Sequence, residues 1–330
     1  MDRGGRSGAK SRWLVGGAIL FGLCTALVVA QSILGARRAA RAAYPASEGR
    51  LQVAELRAPL RVLRDPRGVP HIEATSERDA YFGLGFVHAQ DRLAQMVWLS
   101  HLARGRGAEL LGRRGVAADR RARILGLARH AEADARSLPS EVRVLLEAYA
   151  AGVNARVARI AAGEVEAPAA IEAWGTPLDP WKPSDTLALL KLYSWGLGGS
   201  LEEILTMQEL IRHFGGFGAR RFFPAGVGID AVRPPRDSSV AVGTPDPLRR
   251  ALGLRGGSIG SSAFLVAGAR SASGSPLLAA DSHFQPTAPA HFYEAHLHGG
   301  PVDVAGATLP GVPVVWTGFN PRVAWASTHA

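Results

Sequence analysis

Residues 260–268 read Gly-Ser-Ser-Ala-Phe-Leu-Val-Ala-Gly, a serine pair that leads directly into an apolar, strand-forming run. Further along, residues 281–284 read Asp-Ser-His-Phe. A serine hydroxyl is a poor nucleophile without a base beside it, and a freed α-amino group is such a base. The pKa of an α-amino group is about 8, whereas that of lysine is about 10.4. The pattern therefore predicts a buried serine that becomes a catalytic N-terminus when the chain is cut before Ser261.

The overall composition is that of a globular protein. The chain has 330 residues, of which 47% are apolar and 20% charged, so overall disorder is excluded. Its formal charge of +10 comes mostly from arginine. The densest arginine set comprises Arg104, Arg106, Arg113, Arg114, Arg120, Arg121 and Arg123. Because no nucleic-acid-binding motif accompanies this set, we predict a solvated helix face and no nucleic-acid partner.

The N-terminal segment, residues 1–48, has the pattern of an export signal. An apolar stretch covers residues 13–34, and the basic residues before it are Arg3, Arg6, Lys10 and Arg12. Small residues at positions 28–30 provide a cleavage site, yet the run is also long enough to span a bilayer as an uncleaved anchor. We therefore expect an exported protein, periplasmic or extracellular, that is either released by cleavage or anchored through residues 13–34.

The next segment, residues 49–232, is predicted to be mostly helical. Two short strands around a turn are expected within residues 60–74. Apolar residues at helical spacing then predict helices over residues 76–111, 120–138, 140–162, 185–197 and 201–214. Residues 233–260 are rich in Pro, Gly, Ser and Arg, which predicts an exposed spacer.

The last segment, residues 261–330, is predicted to be β-rich. Strands are expected at residues 264–266, 276–279, 292–297, 302–305, 312–316 and 323–326. The last of these runs on to Ala330 without a turn or polar tail, so we expect an incomplete sheet with an unpaired edge. The fold class is α+β, with helices before strands.

A series of motifs recurs in a fixed order over residues 60–330. These are RDPRGVPHI at 64–72, GFVHAQDRLAQM at 85–96, RGRGAELLG at 104–112, AYAAGVNA at 148–155, SGSPLLA at 273–279, AGATLPGVP at 305–313 and GFN at 318–320. Each motif alone is weak evidence, but the ordered set is specific. With it, the chain resembles the penicillin acylase family of N-terminal nucleophile hydrolases, which includes acyl-homoserine lactone and cephalosporin acylases.

The resemblance implies an αββα sandwich and a precursor that matures into an α chain and a β chain. Ser261 aligns with the nucleophile and Gly260 with the residue before the self-cleaved bond. The family usually has asparagine after the nucleophile, where this chain has Ser262. Family precursors are much longer, so we expect this chain to be truncated within its β segment.

Further site residues follow from the same alignment. His283 is implied to hold the nucleophile's amine or the scissile amide through its carbonyl while its ring borders the substrate, and Phe284 is implied to bind the substrate. The backbone N–H of His329 aligns with one oxyanion donor. The second donor, an asparagine side chain, would lie beyond Ala330.

The resemblance also bears on the acyl pocket and on metals. Tyr193 and Trp195 are candidates for lining the pocket, with core packing as the alternative. Glu202 is the candidate for one ligand of a structural calcium, with Glu203 equally placed and a plain surface glutamate as the alternative. No cofactor is expected to be required.

Two other patterns in the sequence resemble known sites but do not predict one. One is a cluster that resembles a set of zinc ligands: His291, Glu294, His296 and His298. On a strand, however, His296 and His298 share one face, and Glu294 only extends the same row of side chains along it. The serines before residue 262 resemble a hydrolase elbow, but a strand-forming run follows them in place of the helix that this motif requires.

The expected function is hydrolysis of the amide bond in a small N-acyl substrate of acyl-homoserine lactone, penicillin or cephalosporin type. His283 favours fatty-acyl amides such as homoserine lactones over penicillin. The alternative is an inactive, truncated and membrane-tethered fragment of such an acylase.

Overall fold

The computed structural model describes residues 21–35, 48–198, 200–222, 246–254, 260–284 and 286–328. The predicted cleavage site for export is therefore seen only as part of an exposed helix, α1 (residues 21–35). Within the described ranges, no helix combines the length and the apolar composition needed to cross a membrane. Most of the predicted spacer, and His329, lie outside the described residues.

Helices dominate the first part of the chain and strands the second. The helices after α1 are α2 (Glu77–Arg104), α3 (Ala108–Leu111), α4 (Val116–Leu125), α5 (Leu127–Ser137), α6 (Ser140–Ala161), α7 (Ala169–Trp174), α8 (Pro183–Leu197), α9 (Ser200–Ala219) and α10 (Pro247–Ala251). The strands are β1 (Arg61–Arg64), β2 (Pro70–Ala74), β3 (Gly260–Val266), β4 (Leu277–His283), β5 (Tyr293–Gly299), β6 (Val302–Leu309), β7 (Val312–Phe319) and β8 (Ala324–Trp325). The predicted α+β class is confirmed.

Glycines end two of the predicted helices earlier than the apolar pattern suggested. The helix expected over residues 76–111 begins after its N-cap Ser76 but ends at Gly105, which adopts φ 67° and donates to the carbonyls of the last turn. The helix expected over residues 120–138 is divided at Gly126, with φ 66°. Both predictions were wrong at these points because a left-handed glycine closes the helix although the apolar spacing continues.

Part of the predicted exposed spacer is folded. Asp246 caps α10 by accepting from the backbone N–H groups of Leu248 and Arg249. The Leu248 side chain is fully buried, and Arg121 forms a 2.8 Å ion pair with Asp246. A short helix with one buried anchor therefore interrupts the Pro- and Gly-rich stretch.

A six-stranded sheet with the order β1-β2-β5-β6-β7-β8 joins the two halves of the chain. The β1–β2 hairpin comes from the helical segment, and β2 pairs in parallel with β5, so that Ile72 lies opposite Leu297. The other pairings in this sheet are antiparallel. Strands β3 and β4 form a separate antiparallel hairpin.

One face of the large sheet packs on the helices. Along β5, Tyr293, Ala295 and Leu297 are buried and belong to the main core, while the alternate residues are more exposed. Beneath them, α2 and α6 cross in close contact. A Cβ at Gly85 would lie 2.1 Å from the carbonyl oxygen of Tyr149, so only glycine permits this approach.

A fully buried polar chain links the helices to the sheet at His88. The Gly311 N–H donates to the Tyr149 hydroxyl (3.0 Å), which donates in turn to His88 Nδ1 (2.8 Å). His88 Nε2–H then donates to Thr308 Oγ1 (2.9 Å), whose hydroxyl donates to the Tyr293 carbonyl (2.7 Å). Every donor and acceptor in this series of hydrogen bonds has its partner only when His88 is neutral. Burial, with a smaller effect of Arg92, lowers the pKa of His88 to about 3.

Candidate functional site

The Gly260–Ser261 bond lies at the beginning of β3. In the β3–β4 register Gly260 is opposite His283 and Ser261 is opposite Ser282. Ser261 is half-buried, not buried as predicted, because the hairpin lies apart from the large sheet. The bond proposed for cleavage is therefore held in regular strand pairing.

His283 lies directly beside the candidate cleavage bond. Its ring Nδ1 is 3.1 Å from the position that a Cβ on Gly260 would occupy, so the absent side chain makes room for the ring. Its Nε2 lies 3.3 Å from the Asp281 carboxylate. Because side chains alternate along strands, His283 and Asp281 share the Gly260 face, whereas Ser261 and Ser282 lie on the other.

His291 joins two of the candidate pocket residues. The Phe284 ring centroid is 5.2 Å from that of His291, and the Tyr193 ring centroid is 6.3 Å from it. Tyr193 is almost fully buried in the main core, and Phe284 and Trp195 pack against that core while partly exposed. The structure thus brings Tyr193 and Phe284 together around a histidine that the sequence had suggested only as a zinc ligand.

Several polar atoms in this region are buried without a partner. Tyr193 Oη and His291 Nε2 have no hydrogen-bond partner within the part of the chain that the structure describes, and neither has Trp195 Nε1, two residues after Tyr193 on α8. Burial raises the pKa of Tyr193 and lowers the pKa of His291. Because an unpaired buried polar atom is costly, a polar group of a bound molecule would be stabilised here.

The remaining predicted site residues are not assembled with this group. Glu202 is in α9, but its side chain, like His329, lies outside the described residues. Of the four residues that resemble zinc ligands in the sequence, Glu294, His296 and His298 lie on the exposed face of β5, and His291 is buried before the strand begins. Among the described residues there is no group of three or more His, Cys, Asp or Glu arranged to hold a metal ion.

Sequence reasoning assigned no role to His88, Asp91 or Tyr293. Asp91 forms a bidentate ion pair with Arg64 and accepts from the Tyr293 hydroxyl, tying β1, α2 and β5 together. These residues support the large sheet. For His88 and Asp91 the signal was the dense polar motif at residues 85–96 in a helix that is otherwise largely buried.

Comparison with known proteins shows which family has these motifs. The penicillin amidase family model matches residues 59–330. The chain belongs to the penicillin amidase family. The resemblance seen in the ordered motifs is therefore confirmed over the whole strand-rich segment and most of the helical one.

Several curated members of the penicillin amidase family are similar to this chain. Penicillin acylase 2 proenzyme of Pseudomonas sp. strain SE83 is 37% identical over 89% of this chain. Acyl-homoserine lactone acylase QuiP of Pseudomonas fluorescens is 31% identical over 93% of it. The matched parts are 39% and 38% of those proteins, so the chain spans about two fifths of their length. A solved penicillin G acylase from Alcaligenes faecalis is 24% identical, covers 57% of this chain and 97% of its own, and has a TM-score of 0.43.

Proposed function

We propose that this chain carries the self-cleavage site and the nucleophile of an acylase that hydrolyses the amide bond of N-acyl substrates. The observation that carries the proposal is the position of Gly260–Ser261 at the first residues of β3, beside His283. Family membership supports the reaction class, since the relatives' names describe penicillin and acyl-homoserine lactone acylases.

In the maturation step, Ser261 Oγ attacks the carbonyl carbon of Gly260. The peptide C–N bond breaks, an ester forms, and water hydrolyses it to leave a carboxylate on Gly260 and a free α-amine on Ser261. Glycine before the bond favours this step because the missing Cβ allows a strained backbone and leaves space beside the His283 ring.

In turnover, the Ser261 amine takes the hydroxyl proton through a water molecule while Oγ attacks the substrate amide. The proton passes to the leaving amine, and water then releases the acyl group from Oγ. The oxyanion needs two donors, each contributing about 100-fold or more in rate. One is assigned to the His329 backbone N–H, and the second donor that the family resemblance implies is an asparagine side chain.

The acyl chain of the substrate is assigned to the region of Phe284, Tyr193 and Trp195. The buried, unpaired Tyr193 hydroxyl and His291 Nε2 support a substrate that carries a polar group next to an apolar chain. Together with His283, this favours fatty-acyl amides, homoserine lactones included, over penicillin. Export, membrane attachment through residues 13–34, separate α and β chains and calcium binding at Glu202 remain parts of the same proposal.

Mass spectrometry of the purified chain tests maturation directly. The wild type should yield a fragment that begins at Ser261, and Ser261→Ala should remain intact. Ser262→Ala is the matched control, since it changes the neighbouring hydroxyl in the same strand and should still be cleaved. If the wild type also remains intact under conditions where it is folded, this chain does not process itself.

That negative result would favour the inactive fragment as the second candidate. A specific observation supports it: Phe264 and Leu265, three and four residues after the nucleophile, are 71% and 75% exposed. A nucleophile on a poorly packed strand is not held within the narrow range of geometry that catalysis needs.

A further inference from the structure

Two histidines from distant parts of the chain face each other on the exposed side of the large sheet. His71 on β2 lies directly opposite His296 on β5. Their Nδ1 atoms are 3.0 Å apart, and the two rings are nearly perpendicular, with centroids 5.2 Å apart. The His296 side chain is 31% exposed, so solutes reach the pair from solvent.

A neighbouring carboxylate fixes which nitrogen of His296 carries the proton. Asp303 Oδ1 lies 2.9 Å from His296 Nε2, and a carboxylate only accepts, so Nε2 bears the hydrogen. This hydrogen bond, ahead of the attraction to the ring, lowers the pKa of Asp303. In neutral His296 the lone pair is therefore on Nδ1, and His71 Nδ1–H donates to it. A histidine that donates its far nitrogen to a carboxylate is the usual arrangement for a metal ligand.

The two Nδ1 atoms are close enough to bind the same metal ion. With metal–nitrogen bonds of about 2.05 Å, a 3.0 Å separation corresponds to an N–metal–N angle of about 94°. This suits neighbouring ligands of a square-planar or octahedral ion, and Cu²⁺ is the divalent first-row ion that imidazole ligands generally bind most tightly. We propose that His71 and His296 chelate one Cu²⁺ ion, or Ni²⁺ more weakly, through their Nδ1 atoms.

Binding requires only small changes in the pair. The proton on His71 Nδ1 moves to Nε2, so the ring stays neutral and no net proton is released. Each ring turns about its broad χ2 torsion to direct its lone pair at the ion. A cavity of about 350 Å³, lined also by Ala305, Phe319 and Pro321, leaves room for water at the remaining coordination positions.

The experiment is a Cu²⁺ titration of the wild-type chain, followed by calorimetry and by electron paramagnetic resonance. We expect two imidazole nitrogens in the equatorial plane of the bound Cu²⁺, and affinity that decreases from Cu²⁺ to Ni²⁺ to Zn²⁺. His71→Ala and His296→Ala should each weaken Cu²⁺ binding at least tenfold. Asp303→Asn should weaken it by about 10- to 100-fold, as when a ligand-orienting carboxylate is lost.

The matched control is His130→Ala, because His130 is an exposed histidine on another element, α5, and should leave the affinity unchanged. The proposal is overturned if the wild-type spectrum shows fewer than two imidazole nitrogens. It is also overturned if Zn²⁺ binds more tightly than Cu²⁺, or if a folded His71→Ala chain keeps the wild-type affinity. The spectrum of the wild type decides the matter even where a variant does not fold. None of these outcomes depends on cleavage before Ser261.

Discussion

The six-stranded sheet and the β3–β4 hairpin are built from similar strands but differ sharply in how far other elements bury them. In the sheet, Leu297 on β5 is 1% exposed because the helices cover its face. In the hairpin, Leu265 on β3 is 75% exposed. The element that carries the candidate nucleophile is thus among the least covered strands that the structure describes, although its sequence is as apolar as that of the best-packed strand.

The difference is visible in the order of residues along each strand. Polar and apolar residues alternate along β5, which suits a strand with one covered face. In contrast, the run from Ala263 to Val266 on β3 is continuously apolar, which is typical of strands covered on both faces. The hairpin therefore has the composition of an interior strand pair, and no described element covers both of its faces.

The largest expected effect is an acid transition that begins in the sheet and not in the hairpin. Unfolding restores the ordinary pKa of His88, about 6.5, from a folded value of about 3. Between these pH values the unfolded chain binds a proton that the folded chain does not, so stability falls as the pH falls through this window. The loss approaches about 5 kcal/mol once the pH nears 3.

Urea unfolding at pH 7, 5 and 4 measures this effect. In His88→Gln an amide replaces the ring. The free energy of unfolding should then depend less on pH, by the equivalent of about one bound proton. Amide hydrogen exchange should show β5 and β6 losing protection first as the pH falls. If the free energy of unfolding changed equally with pH in the wild type and His88→Gln, another group would control the acid transition.

The same substitution on each strand measures the difference in burial directly. Leu297→Ala should cost about 3 kcal/mol, because it opens a cavity in the core. Leu265→Ala, the same change on an exposed strand, should alter the free energy of unfolding by less than about 0.5 kcal/mol. Chemical denaturation of both variants checks the pair. Similar losses at the two positions would show that β3 is covered in solution.

A smaller effect is expected beneath the sheet, where α2 and α6 meet. In Gly85→Ala the new methyl group would overlap the Tyr149 carbonyl, so the helices must separate, at a net cost of about 2 kcal/mol. Gly216→Ala in α9 is the control, because nothing lies within 4 Å of its added Cβ. That control should be neutral or stabilise by up to about 1 kcal/mol. Thermal unfolding of both variants distinguishes the contact from the helix propensity of alanine.

The positions of the strands were predictable, whereas their partners were not. Glycine, proline and asparagine bound each apolar run, so local pattern alone located β3 to β8. The parallel pairing of β2 with β5 joins residues 225 positions apart, and nothing near His71 indicates His296 as its neighbour. Register between distant strands depends on packing across the whole molecule.

The candidate site was predictable where it depends on one hairpin. The positions of Ser261 and His283 followed from the family alignment, and the β3–β4 register brings their strand ends together. The place of His291 beside Tyr193 and Phe284 was missed, because spacing along the chain does not give the direction of a side chain just before a strand. Likewise, the neutral state of His88 depends on a tyrosine and a threonine from elements far away in sequence.

The parallel pairing of β2 with β5 also sets a delay during synthesis. His71 leaves the ribosome 225 residues before the His296 that completes its strand pair. At about 5 to 20 residues per second, the interval is roughly 10 to 45 s. Throughout that time β2 has an open edge and the apolar face of α2 lacks its sheet. The nascent chain therefore needs protection from aggregation before the chemistry of Ser261 becomes relevant.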